Sequence, residues 1–156
     1  KKKKQEKEIE IKKKQEEKVM PFFKQETLEK SNTKGGLESP EYKEAVQKAG
    51  TARKIIDYLM TENKLDAIAG ITIGLPCCID LVNGDYDTGF YFCSPAAMAG
   101  YPHITVPMGK VHELPVGLSF ISGKYKEAEI ISLAYGYEQA SKNRESPGYL
   151  KTIEGL

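Results

Sequence analysis

Long apolar runs are missing from this chain. No stretch approaches the roughly 20 apolar residues that cross a bilayer, and the lysine-rich start is not followed by the apolar core of a secretory signal. No membrane association is therefore expected. Cysteine is scarce: Cys77 and Cys78 are adjacent and Cys93 stands alone, an odd set that does not form a disulfide framework and suits a reducing, cytoplasmic setting. Neither C-x-x-C nor H-x-x-x-H spacing occurs, so these thiols with His103 and His112 are not read as a metal site; buried thiols are expected instead. Gly35-Gly36 is not followed by Gly-Lys-Ser/Thr, which excludes a phosphate loop. No cofactor is expected, and no internal repeat is present. A net charge of +1 offers no general attraction for nucleic acid.

What is present suits one globular domain, since 156 residues can bury a real core but rarely two. The charge is uneven. The first eighteen residues carry nine Lys and five Glu, or +4, which leaves −3 for the remainder. Residues 1–18 are accordingly expected to be a charged tail or solvated helix, residues 19–150 the folded portion, and residues 151–156 a second tail. After Pro21, the residues Phe22, Phe23 and Leu28 suggest a short helix with its aromatics inward, and Ser31 to Gly36 reads as a loop. The clearest helix follows, with Ser39 as cap, Pro40 first, and Tyr42, Ala45, Val46, Ala49, Ile56, Leu59 and Met60 on one face.

Leu65 to Ile73 is nearly continuous in apolar residues, the pattern of a strand buried on both faces in a parallel sheet. Leu75 to Phe92 is then a long connection, and loops beyond about 12–15 residues are usually functional, so ligand contacts are expected there. The stretch from Cys93 to Gly109 is the most constrained. Ser94 suits a helix cap, Pro95 the first helical position, and Gly100 the left-handed residue after the last turn. Pro102 stops the helix, and Ile104-Thr105-Val106 reads as a short strand ended by Pro107-Met108-Gly109. Lys110 to Glu113 is a polar turn into a second strand, Leu114 to Ile121, which the brief link makes antiparallel to the first. In that strand the small Gly117 and Ser119 leave one face open to close approach. His112-Glu113 reads as an exposed turn pair. A final helix is expected from about Lys126 to Ser141, with Ile130, Leu133, Ala134 and Tyr137 inside.

Several blocks in this order and spacing resemble the C-terminal part of an amidase signature enzyme, across about Glu16 to Leu150. They are Leu65-Asp66-Ala67, Asp80-Leu81-Val82-Asn83-Gly84-Asp85, Ser94 to Pro107, Leu114 to Phe120, and Ala134-Tyr135-Gly136-Tyr137-Glu138-Gln139-Ala140. The resemblance implies an α/β fold: a partial amidase-signature fold, with helices flanking part of a mixed β-sheet. It also implies amide hydrolysis by a serine nucleophile, a relay serine, a base lysine and backbone donors to the oxyanion. No Gly-Gly-Ser-Ser-Gly-Gly block occurs here and no lysine matches the catalytic one, so no catalytic residue is carried over.

In the glutamine-using amidotransferase branch of the family, a carboxylate near the Pro-Ala-Ala block holds the substrate's amino group. Phe90 stands where it would align, within Phe90-Tyr91-Phe92-Cys93, which argues against an amino-acid amide substrate. Asp85 and Asp87 are either pocket residues or loop aspartates that cap turns. The resemblance therefore implies Asp85, Asp87, Phe90, Tyr91 and Phe92 as substrate-binding candidates. Two functions are open. The chain is a C-terminal fragment of an amide hydrolase, inactive alone, and either truncated or one half of a split amidase that awaits a separate N-terminal half, or it is a non-catalytic interaction module derived from an amidase. In either case an exposed apolar patch and strand edge are expected, through which the chain pairs with another polypeptide or with itself.

Overall fold

The computed structural model describes residues 2–15, 25–86 and 89–149. They divide into two compact units, Lys1–Ala45 and Val46–Leu156.

In the smaller unit, α1 (Lys2–Lys14) packs against α2 (Glu26–Thr33). Glu10 joins them: its carboxylate accepts from the Lys14 ammonium at 2.9 Å and from the Asn32 side-chain amide at 2.5 Å, while Lys14 also meets Glu29 at 3.1 Å. Those bonds hold the Glu10 carboxyl below the usual range and the Lys14 ammonium above it. Ser31 and Thr33, expected in a loop, form the end of α2. Their hydroxyls donate back to the carbonyls of Thr27 and Lys30, which lets these residues stay helical. Phe22 and Phe23 lie outside the described residues.

Helix α3 (Pro40–Glu62) starts as expected, with the Ser39 hydroxyl accepting the Tyr42 N–H at 3.2 Å. Its apolar stripe is buried over less of its length than the periodicity suggests. Ile56 is in the core with Ala52 and Met60 beside it, whereas Tyr42, Val46 and Leu59 are exposed.

The larger unit is built on a sheet in the order β1-β3-β2, where β1 is Ile68–Ile71, β2 is His103–Val111 and β3 is Leu114–Ile121. Both pairings are antiparallel. This corrects the expectation of a doubly buried parallel strand at Leu65 to Ile73: β1 is a four-residue edge strand, alternately half-buried and exposed. Its apolar run comes from one half-buried face plus a face that is exposed among the described residues.

Alternation along the strands gives the sheet two different faces. Ile121 looks toward α3 and the six-residue α4 (Ser94–Ala99), and forms a core with Ile56, Ala96 and Ala99, flanked by Phe92 and Tyr101. On the opposite face Val106 is buried beside α5 (Glu127–Ser141), whose Ile130 and Ala134 are buried and whose Tyr137 ring meets Phe120 edge-on at 6.2 Å. Leu133, expected inside, is exposed on the flank of this row. Helices thus cover both faces of part of a sheet, the α/β arrangement the resemblance implies.

Local details position α4 and the hairpin. Cys93, not Ser94, precedes the first turn of α4, and Ser94 is already helical, with no side-chain cap. Gly100 closes the helix at φ 70°, a conformation that glycine adopts without penalty. Two residues one turn apart on α3 grip this end. Arg53 Nε donates to the Ala99 carbonyl at 2.7 Å, and the Tyr101 hydroxyl donates to Asp57 Oδ1 at 2.7 Å, which raises the phenol above its usual pKa. β2 does not stop at Pro107. A bulge between Pro107 and Gly109 absorbs the extra residue, and the strand continues to Val111. The turn is therefore only His112-Glu113, both at positive φ (49° and 62°), as a two-residue hairpin with the right-handed strand twist requires.

Two expected outcomes follow from this packing. A Cβ on Gly70 would sit 2.6 Å from the Phe92 ring, so Gly70→Ala lowers stability by about 1–3 kcal/mol in urea unfolding, and Phe92→Leu in the same chain recovers part of the loss. The second concerns His103, half-buried with Nε2 unpartnered among the described residues; burial lowers its pKa from 6.5. The unfolded chain then takes up this proton at higher pH than the folded one. The contribution of His103 to stability is complete above about pH 6.5 and is lost as the pH falls toward the lowered folded value. The urea midpoint should drop from about pH 7 to about pH 5, and His103→Asn should reduce that drop.

Candidate functional site

Beyond β1 the chain leaves the sheet for the long connection, and both ends of that connection are stitched to the sheet. Thr72 N–H donates to the Gly117 carbonyl at 2.9 Å, Phe92 N–H donates to the Thr72 carbonyl at 3.0 Å, and Ile73 bridges Tyr91 in antiparallel fashion. Within the connection two carboxylates replace regular structure. Asp80 accepts the backbone N–H of Val82 and of Asn83, each at 2.8 Å, and the Asn83 side-chain amide at 3.0 Å. The Asn83 backbone bond, then its side-chain bond, then the Val82 bond hold the Asp80 carboxyl below 3.8. Asp85 closes the loop from the other end by accepting the Asp80 N–H at 2.9 Å.

The result is a cavity of about 330 Å³ between the loop and the end of β3. Its lining includes Val116 and Gly117 of β3, Ile73 and Tyr91 at the two ends of the connection, and Cys77, Asp85 and Tyr86 of the loop. The structure thus brings Asp85 and Tyr91 to one cavity. Phe90 is exposed, and the Phe92 ring lies over Gly70 against the core. Asp87 lies outside the described residues. Cys77 and Cys78 are exposed rather than buried, because the loop carries them off the sheet, and Cys93 is half-buried. Among the described residues no three His, Cys, Asp or Glu side chains converge where a metal could bind.

One feature of the site has only a partial signature in the sequence. The hydroxyls of Thr72, Ser119 and Thr105 meet across the three strands, with Ser119 at 2.7 Å from Thr72 and 2.9 Å from Thr105, and Thr72 at 3.5 Å from Thr105. Small residues at 117 and 119 signal close approach, but only strand register shows that two threonines fill the space. Among the described residues these side chains bond to each other and to no acid or base. The lining combines apolar residues, an aromatic ring and a carboxylate, a composition that suits binding of a small molecule.

No family model matches the chain. The chain is similar to a glutamyl-tRNA(Gln) amidotransferase subunit from Methanospirillum hungatei, with 36% identity over 100 residues, covering 60% of this chain and 23% of that protein. In structure it resembles the native peptide amidase of Stenotrophomonas maltophilia, with a TM-score of 0.70 and 34% identity over 92% of this chain and 28% of that one. An amidase family protein from Bacillus anthracis gives a TM-score of 0.67 and 28% identity over 91% of this chain and 25% of that one. The chain spans about a quarter of the length of these relatives. The fold is a partial α/β amidase fold with a loop-built cavity. Over most of its length the chain resembles a C-terminal portion of an amidase signature enzyme.

The loop geometry has a direct check. In a carbon-detected NMR titration the Asp80 carboxyl should show a midpoint below 3.8, and Asn83→Ala should move it upward, since that variant removes the side-chain donor.

Proposed function

We propose that this chain is the non-catalytic, substrate-side portion of an amide-bond hydrolase, and that it does not hydrolyse amides without residues from outside this sequence. The observation that carries the reading is its match, over 92% of its residues, to about a quarter of a peptide amidase, in a sequence with no Gly-Gly-Ser-Ser-Gly-Gly block. On this reading Tyr91 and Asp85 form part of the wall that an amide substrate meets, with Phe90 at the exposed approach, and Phe92 holds the wall to the sheet. The catalytic serines and lysine come from a separate N-terminal amidase half.

A second reading, an interaction module without any hydrolytic role, is favoured by the apolar side chains that the larger unit leaves exposed: Ile55 and Tyr58 on α3, Ile79, Leu81 and Val82 in the loop, and Tyr135 on α5. A stable complex with a protein unrelated to amidases would favour it.

The purified chain, incubated with amino-acid amides, peptide amides and anilides, should release no ammonia or aniline above buffer. Turnover that survives repurification would overturn the first reading.

A further inference from the structure

Cys77 and Cys78 are neighbours in the chain and both are exposed, whereas Cys93 is half-buried. They lie within residues 75–80, a stretch without helix or strand. Among the described residues the connection is bonded to the sheet through Thr72 and Phe92 and to itself from Asp80 onward, and none of those bonds falls on either cysteine. That freedom matters. Adjacent side chains of a regular strand point to opposite sides, while an unpaired backbone can turn two neighbouring thiols the same way.

The spacing of the pair decides what it can hold. Neighbouring Cα atoms are about 3.8 Å apart across a trans peptide, closer than the roughly 4.4–6.8 Å that an ordinary disulfide spans. A direct S–S bond is therefore strained, whereas an atom inserted between the two sulfurs widens the ring and relieves the strain. Thiolate sulfur is a soft donor that selects soft partners. A structural zinc ion takes four donors, and among the described residues no three His, Cys, Asp or Glu side chains converge. Trivalent arsenic that already carries one carbon substituent needs only two sulfurs to complete its bonds.

Cys77 also faces space that such a substituent fits. It shares the lining of the cavity with Leu75, Pro76, Tyr86, Tyr91 and Val116, a mainly apolar and aromatic set, and the volume of about 330 Å³ is large enough for a phenyl ring.

We propose that Cys77 and Cys78 form a dithiol site for monosubstituted trivalent arsenicals, and that an aryl substituent lies in the cavity beside Tyr86 and Tyr91. Capture is a condensation. Two As–S bonds form, two S–H bonds break, and the arsenic-bound oxygen leaves as water with both thiol protons. Arsenic stays trivalent and neither sulfur is oxidised, so no oxidant or reductant takes part. The inference is independent of whether the chain forms part of an amide hydrolase.

The test titrates the reduced chain, freed of small thiols, with phenylarsine oxide. Expected is one phenylarsenic group per chain by mass spectrometry, with two thiols lost to a thiol-reactive dye and one retained. An equimolar dithiol such as 2,3-dimercaptopropanol should strip the adduct and an excess of a monothiol should not, since the second As–S bond forms intramolecularly at high effective concentration. Cys77→Ser and Cys78→Ser should each weaken binding about a hundredfold or more. Both should leave the urea midpoint unchanged, because the side chains are exposed. Cys93→Ser should bind as the unmodified chain does. The free peptide of residues 75–80 carries the pair without the cavity and should bind phenylarsine oxide about tenfold or more weakly, for want of the apolar surface that buries the ring. Binding that survives loss of either Cys77 or Cys78, or that depends on Cys93, overturns the proposal. So does an adduct that a monothiol removes as readily as a dithiol, or a peptide that binds as tightly as the chain.

Discussion

Strand β3 is hydrogen-bonded on both sides, and the rest of the larger unit is registered against it. Its pairing with β1 aligns Ile68 with Ile121, and its pairing with β2 aligns His103 with the same residue. At one end the Ser122 hydroxyl donates to the Asp66 carbonyl at 2.9 Å, while toward the other the Ser119 hydroxyl joins Thr72 and Thr105. These contacts need small residues on β3. A Cβ at Gly117 would meet both Thr72 and Thr105 at 2.7 Å, so a larger residue there would push the neighbouring strands apart.

From that register follow the positions of the helices and the cavity. Ile121 turns into the core with α3 and α4, and Phe120 turns toward Tyr137 of α5, so one strand supplies both faces with their central apolar residues. The bond from Thr72 to Gly117 decides where the long connection departs. Its return at Tyr91 and Phe92 is fixed by the bond back to Thr72 and by the ring over Gly70. The loop between is held by Asp80 and Asp85, local hydrogen bonds that need no core. A cavity built this way places Asp85 and Tyr91 together because the sheet sets the loop's two ends and the carboxylates shape its middle.

Much of this was legible from residue types. Helices α3 and α5 follow from periodicity and from Ser39-Pro40, and the antiparallel hairpin follows from a link too short for a crossover. The order of blocks from Leu65 to Ala140 pointed to the family. Other features were not legible, for reasons of context. Pro107-Met108-Gly109 looks like a strand terminator, but an edge strand tolerates proline and a bulge absorbs the extra residue. The apolar run at Leu65 to Ile73 reads the same for a doubly buried strand and for a strand with one half-buried and one exposed face. The cysteines at 77 and 78 look like core residues by type and are exposed because the loop leaves the sheet.

What the sequence determined by itself is everything that depends on near neighbours along the chain: helix starts and stops, the left-handed cap at Gly100, the hairpin, and the self-bonded loop at Asp80. The sequence also contains no Gly-Gly-Ser-Ser-Gly-Gly block. Tertiary structure alone decided which strand lies between the other two, and that Thr72, Thr105 and Ser119 meet. Those outcomes depend on register between segments some fourteen to forty-seven residues apart. A one-residue slip would turn each side chain to the opposite face, and nothing local in the sequence records which register is chosen.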